Sequence, residues 1–113
     1  MKTNDLKAGQ KKIEILVKVE DKNKERQVAS QDGMIHRVCD AIVGDETGCI
    51  YLSLWDESID LVQNGGCYRI SNAYTSVYRG SLRLNTGKYG KITEAQGCFN
   101  VNTANNLSLK EII

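Results

Sequence analysis

The 113-residue sequence predicts an all-β fold, a small five-stranded barrel around one core, and three observations lead there. The first is a hairpin signal: two apolar runs, Cys39–Val43 and Cys49–Trp55, flank the turn Gly44–Gly48, which has a glycine at each end. The second is alternation. Along Cys49–Trp55, residues Ile50, Leu52 and Leu54 fall on one face and Cys49, Tyr51, Ser53 and Trp55 on the other. The third is that no stretch sustains a helical period, and only Asp56–Gln63 suggests a single helical turn, ending at Asn64, Gly65 and Gly66.

Taken in order, residues 1–11 are polar and are expected to be only partly ordered. Ile13, Ile15, Val17 and Val19 alternate with Glu14, Leu16 and Lys18, which reads as a first strand. Glu20–Asp32 is charged, without apolar periodicity, and is expected as a long loop or a hairpin extension carrying Lys22, Lys24 and Arg26. Met34–Val43 and Cys49–Trp55 are the second and third strands. Their turn carries two adjacent carboxylates, Asp45 and Glu46, expected to be solvated. After the helical turn, a fourth strand runs from Tyr68 to Val77, and Tyr78–Ser81 is a turn. Leu82 and Leu84 place a fifth strand on the core, with Ser81, Arg83 and Asn85 facing out. Gly87–Lys91 reads as a basic, aromatic loop, and Ile92–Phe99 as a final short strand. The domain is bounded at residues 1–100, with 101–113 as a short C-terminal extension. Five short strands with one helical turn between the third and fourth is the pattern of an OB-fold, a partly open Greek-key barrel. Such barrels bind oligonucleotides over strands 2 and 3 and over the loops that here are Glu20–Asp32 and Tyr78–Ser81.

The net charge of +1 conceals a segregation. Residues 1–26 carry eight Lys/Arg against five Asp/Glu, residues 27–66 one against seven, and residues 67–113 six against two. A polyanion would therefore meet the first and last thirds. The lone tryptophan, Trp55, sits on the strand face turned from the core, beside Ser53 and Tyr51, as a platform for a flat ligand. Tyr74 and Tyr78 would add rings, with Arg79, Arg83, Lys88 and Lys91 as nearby cations. Yet Tyr74 and Tyr78 share even parity with the core residues Tyr68 and Ile70. They reach the Trp55 face only if the strand switches phase once, through a bulge near Ser71–Ala73. Three or four neutralised phosphates would give a salt slope of about −2 to −3.

Other chemistries lack their parts. His36 is the only histidine, no nucleophile-elbow sequence occurs, and no glycine loop is followed by Lys-Ser/Thr, so no enzymatic activity is expected. His36 and Cys39, three apart on a strand, point to opposite faces, so no metal is expected, and no cofactor. Cys39, Cys49, Cys67 and Cys98 form no C-x-x-C pair and read as intracellular free thiols rather than disulfides. With no signal peptide and no long apolar run, a soluble protein with no membrane partner is expected.

Several runs resemble the single-OB-fold single-stranded-DNA-binding proteins, the archaeal simple type and the eukaryotic B subunit of the sensor of single-stranded DNA (SOSS) complex, related to replication protein A domains. They are Val43–Gly48 (VGDETG), Leu52–Trp55, Asn72–Gly80 and Leu84–Gly87, together with Asp5, Leu6, Lys7 and Gly9 of the opening motif, where Ala8 replaces a proline. The resemblance covers about Asp5 to Ile92 and implies that the rings matching Trp55, Tyr74 and Tyr78 stack on successive bases. Asn85 departs from eukaryotic members that carry a fourth aromatic there, and the family's flexible Gly-rich, Pro-rich or acidic tail does not follow before Ile113: either a tail was trimmed or partner recruitment through one is absent.

The expected function is non-enzymatic binding of single-stranded DNA with low sequence specificity, in replication, repair and the DNA damage response. The expected setting is the nucleus of a eukaryote or the cytoplasm of an archaeon. The expected site is Trp55, Tyr74, Tyr78, Arg79, Arg83, Ser53 and Lys88. Two alternatives stand beside it. One is single-stranded RNA, which stacking alone does not separate from DNA. The other is a protein-interaction subunit of a larger complex, such as a repair complex, docking a partner through Leu107, Leu109, Ile112 and Ile113, residues that could equally cover an open end of the barrel.

Overall fold

The computed structural model describes residues 1–97 and 100–109, without the side chains of residues 87–89. Six strands follow one another: β1 (Ile13–Lys22), β2 (Arg26–Ala29), β3 (Ile35–Asp45), β4 (Gly48–Trp55), β5 (Cys67–Tyr78) and β6 (Ser81–Glu94). The helix α1 (Glu57–Leu61) lies between β4 and β5, and 3-10 turns stand at Thr3–Asp5 and Leu107–Leu109. The sheet runs β1-β5-β6-β4-β3-β2 and closes through a β1–β3 pairing, with β4 and β6 parallel. Five strands thus make the expected OB barrel, with α1 between its third and fourth strands.

The barrel closes because β1 changes partner along its length. Its first part pairs β5, Ile15 with Ile70, and its last part pairs β3, Val19 with Val43; Lys18 faces both strands, and the β1–β3 register shifts between Val19 and Asp21. Alternation does the rest. Ile13, Ile15, Val17 and Val19 meet Cys39, Ala41 and Val43, Ile50, Leu52 and Leu54, and Tyr68, Ile70, Leu82 and Leu84 in one buried cluster. Each large aliphatic there contributes about 1.5–3 kcal/mol of burial. From α1 and its end, Ile59 and Val62 complete it.

Several expectations change. The charged stretch after β1 is the hairpin extension rather than a loop, because Arg26–Ala29 pairs with Ile35–Val38 and adds β2 to the edge of the barrel. The β3–β4 turn is tighter than expected: Asp45 pairs with Gly48, leaving two residues in the loop. Gly44 permits this, since a Cβ there would stand 2.2 Å from the Gly48 carbonyl oxygen. Asp45 is buried, not solvated: it accepts from the Thr3 and Thr47 amides at 2.9 Å each and from the Thr47 hydroxyl at 2.5 Å. Glu46 pairs with Lys2. The N-terminal arm is ordered by these contacts, and Leu6 joins the core. Cys49, on the outward parity, is buried because its amide bonds the Asn105 carbonyl as the C-terminal segment crosses it.

β6 continues through the expected loop, yet its register passes from Thr86 opposite Ala73 to Lys91 opposite Ser71, so β5 passes over residues 87–90. The final strand expected over Ile92–Phe99 is the tail of β6, ending at Glu94, and Cys98 and Phe99 lie outside the described residues. Cys39 and Cys49 are free thiols whose pKa is raised by burial, which keeps them unreactive. Cys67 is disulfide-bonded, against the expectation of free thiols throughout; nine or more residues of spacing hid a pairing that only the folded chain brings together. Leu107 is buried in the core, so it covers the barrel, whereas Leu109 is exposed and Ile112 and Ile113 lie outside the described residues.

Candidate nucleic-acid interface

Register assembles one outer face from four strands. Across it, Asp40 of β3 pairs with Ser53 of β4, Ser53 with Asn85 of β6, and Asn85 with Tyr74 of β5. One row along, Ile42 pairs with Tyr51, Tyr51 with Arg83, and Arg83 with Ser76. Trp55 ends β4 on this face, opposite Val38 of β3, and Tyr78 ends β5.

The tyrosines reach this face through the bulge that parity demands. The β5–β6 register shifts between Ser71 and Ala73, where Asn72 takes φ 54°. Before the shift the even residues Tyr68 and Ile70 point inward; after it Ala73 and Thr75 do, and Tyr74, Ser76 and Tyr78 turn out. Trp55 is 46% exposed, Tyr74 39% and Tyr78 55%, so all three rings are open to a ligand. The Arg79-Gly80 turn that ends β5 has φ of 51° and 79°, the left-handed pair of a tight hairpin turn.

Trp55 is held from one side. The His36 ring meets it edge-on, centroids 6.3 Å apart, and His36 Nδ1 lies 2.8 Å from Asp56 Oδ2. The Arg37 amide donates to Asp56 Oδ1 at 2.9 Å, and this bond, followed by the one to His36, holds the Asp56 carboxyl below its ordinary range. Arg37 itself bridges to Asp60 at 2.7 Å, tying α1 to β3.

Between Trp55 and Tyr78 lies an open groove of about 340 Å³, walled on one side by Arg26 and Val28 of β2 and floored by Ser53, Ser76 and Asn85. Aromatic rings flanking a polar floor suit a flat heterocycle whose edge carries donors and acceptors. Asn85 Nδ2 donates to the Ser76 hydroxyl at 2.9 Å, which fixes that floor.

Of the expected site residues, Trp55, Ser53, Tyr78 and Arg83 line this groove, and Tyr74 stands next to it across Asn85. Arg79 is at the hairpin tip, its guanidinium 5.3 Å from the Tyr78 ring centroid. The Lys88 side chain lies outside the described residues. Arg83 is not displayed toward solvent: its Nη1 contacts Asp40 Oδ2 at 2.9 Å and its guanidinium lies 4.9 Å from the Tyr51 centroid. Sequence reasoning missed Asp40 as a groove residue and gave Arg26 only as one of three cations on the Glu20–Asp32 stretch, without singling it out. A lone carboxylate on the Trp55 parity of an apolar run was the available signal for Asp40. Nothing separated Arg26 from Lys22 and Lys24, because β2 has no alternation. His36 lies on the outer face and Cys39 in the core, and among the described residues no group of three or more His, Cys, Asp or Glu gathers as a metal site.

The family described as "Single-stranded DNA binding protein Ssb-like, OB fold" matches residues 6–94, the whole barrel and every ring of this face. The chain belongs to this Ssb-like OB-fold family. Among curated relatives, the single-stranded DNA binding protein Ssb of Saccharolobus solfataricus is 34% identical over 94 residues, covering 83% of this chain and 63% of that protein. The chain spans just under two thirds of the length of the curated relatives it matches. Among solved structures, a hypothetical protein of Arabidopsis thaliana superposes with a TM-score of 0.84 at 30% identity, covering 98% of this chain and 83% of that one. The OB domain of Ta0387 from Thermoplasma acidophilum, at 20% identity and TM-score 0.74, covers 90% of this chain and 92% of its own and shares the fold.

Proposed function

We propose that this protein binds single-stranded DNA with little sequence preference, stacking bases on Trp55, Tyr78 and Tyr74 while cations around the groove track the phosphates. The observation that carries it is the β5 bulge, which turns two tyrosines onto the tryptophan face and leaves three exposed rings on one sheet surface. Rings accept any base, so low specificity follows from the chemistry. The protein's part is binding and protection of exposed strands, as replication and repair require, rather than catalysis, in the nucleus of a eukaryote or the cytoplasm of an archaeon.

Trp55 is the only tryptophan, so its fluorescence reports this site alone. Titration with short oligo-dT should give saturable quenching that weakens with salt, with no effect from duplex DNA; oligo-U ranks RNA against DNA. Trp55→Ala, followed by anisotropy of labelled oligo-dT, should weaken binding by about 1–3 kcal/mol, roughly 5- to 150-fold. An unchanged dissociation constant in a folded variant would refute the stacking site.

A further inference from the structure

One carboxylate decides which charges in the groove are free to meet a phosphate. Asp40 Oδ2 is shared by two arginines on unequal terms. Arg83 reaches it at 2.9 Å, and both side chains are largely buried, 17% and 15% exposed. Arg26 stands off at 3.4 Å with its side chain 55% exposed. Arg83 is fixed from further sides: it lies over Tyr51, its guanidinium is 5.9 Å from the Tyr78 centroid, and its Nε donates to the Ser81 hydroxyl at 3.2 Å.

Two cations on one anion leave a surplus of one positive charge, and the geometry localises it. Arg83 and Asp40 form a close, half-enclosed neutral pair. Breaking it would strand a carboxylate whose Oδ1 is buried and already lacks a hydrogen-bond partner. Arg26 can leave without that penalty, because Arg83 still holds Oδ2. A long, exposed contact of this kind is weak and screened by salt. Arg26 also lines the same groove as Trp55 and Tyr78, on the wall opposite β6.

Resting on the single-stranded-DNA reading above, we infer that Arg26, rather than Arg83, is the groove's phosphate-binding arginine, and that Arg83 is a positioning residue holding Tyr78 for stacking. On binding, Arg26 exchanges Asp40 for a phosphate oxygen and Arg83 stays in place. The surplus charge then lies on β2, the strand that the OB barrel itself does not need.

The test is the slope of log K against log salt for labelled oligo-dT, by anisotropy between about 50 and 300 mM NaCl. Each phosphate neutralised on a single strand contributes about 0.7 to that slope. Arg26→Gln should make it shallower by about 0.7. The paired change Asp40→Asn with Arg83→Gln removes no net charge, so its line should run parallel to wild type but displaced to weaker binding. In a Tyr78→Ala background the paired change should add little, because the ring it supports is gone.

A wild-type slope in Arg26→Gln overturns the inference, as does a slope lowered by about 0.7 in the paired variant. Should the paired variant not fold by circular dichroism, Arg26→Gln decides alone, since the exposed arginine of an edge strand can be replaced without disturbing the core. No binding of oligo-dT by the wild type overturns the single-stranded-DNA reading, and this inference with it.

Discussion

The barrel is sealed by one hydroxyl, and removing it should be costly. The parallel β4–β6 ladder runs from Tyr51 opposite Arg83 to Ser53 opposite Asn85. At its end Ser108, from the C-terminal 3-10 turn, is inserted between the strands: its Oγ accepts from the Tyr51 amide at 2.8 Å and donates to the Leu82 carbonyl. Ser108 is buried, and next to it Leu107 enters the core. Ser108→Ala leaves the methylene packing intact and opens no cavity. It does leave one partly buried N–H and one buried C=O without partners, at about 1–3 kcal/mol each, so roughly 2–6 kcal/mol in all. At about 4 °C per kcal/mol for a domain of this size, the melting temperature should fall by roughly 8–24 °C. Leu109→Ala, an exposed neighbour on the same turn, is the control and should stay within about 0.5 kcal/mol. Thermal and urea unfolding followed by far-UV circular dichroism measure both. A Ser108→Ala variant melting within about 2 °C of wild type would refute the seal, and residues 107–109 would then be free to serve a partner.

Two further perturbations probe the β3–β4 turn. Burial pushes the Asp45 carboxyl up, but the Thr47 hydroxyl and the Thr3 and Thr47 amides outweigh it and bring it below its ordinary value. A carboxyl lowered in the folded state stabilises fully above its unfolded pKa of about 4 and ceases to as pH falls through the lower folded value. Asp45→Asn should therefore cost about 1–3 kcal/mol at pH 7, and much less near pH 2, by urea midpoints; an equal gap at both pH values would count against the carboxylate. Gly44→Ala would drive its Cβ to 2.2 Å from the Gly48 carbonyl oxygen and 2.7 Å from Cys49 Cα, both backbone atoms that cannot swing aside. A loss of about 3 kcal/mol or more is expected, and a wild-type urea midpoint would show that the hairpin does not cross so closely.

Much of this site was legible because period two is a local property. The alternation of Ile50, Leu52 and Leu54 against Ser53 and Trp55 needs no knowledge of the rest of the chain, and it put Trp55 on the open face. The same parity made Tyr74 and Tyr78 anomalous, and the bulge at Ser71–Ala73 that resolves the anomaly is where the register shifts. The helical turn after Trp55 and the Arg79-Gly80 hairpin were equally local, written in short-range composition. What alternation cannot supply is the identity of a neighbour across the sheet. Arg83 read as a phosphate contact because parity turns it outward, and only the register reveals Asp40 two strands away, holding its charge. Asp45 read as a solvated turn residue until the N-terminal arm, 42 positions distant, brought the Thr3 amide to it. Leu107 read equally as part of a docking tail or as cover for an open end until it entered the core, where Ser108 beside it closes the gap between β4 and β6. The sequence by itself placed the five barrel strands, though neither β2 nor the full length of β6, and determined which way their core-facing side chains point, since steric alternation is set residue by residue. Only the tertiary structure decided which charges are neutralised and which polar groups are paired, because those depend on long-range contacts that exist only once the barrel has closed.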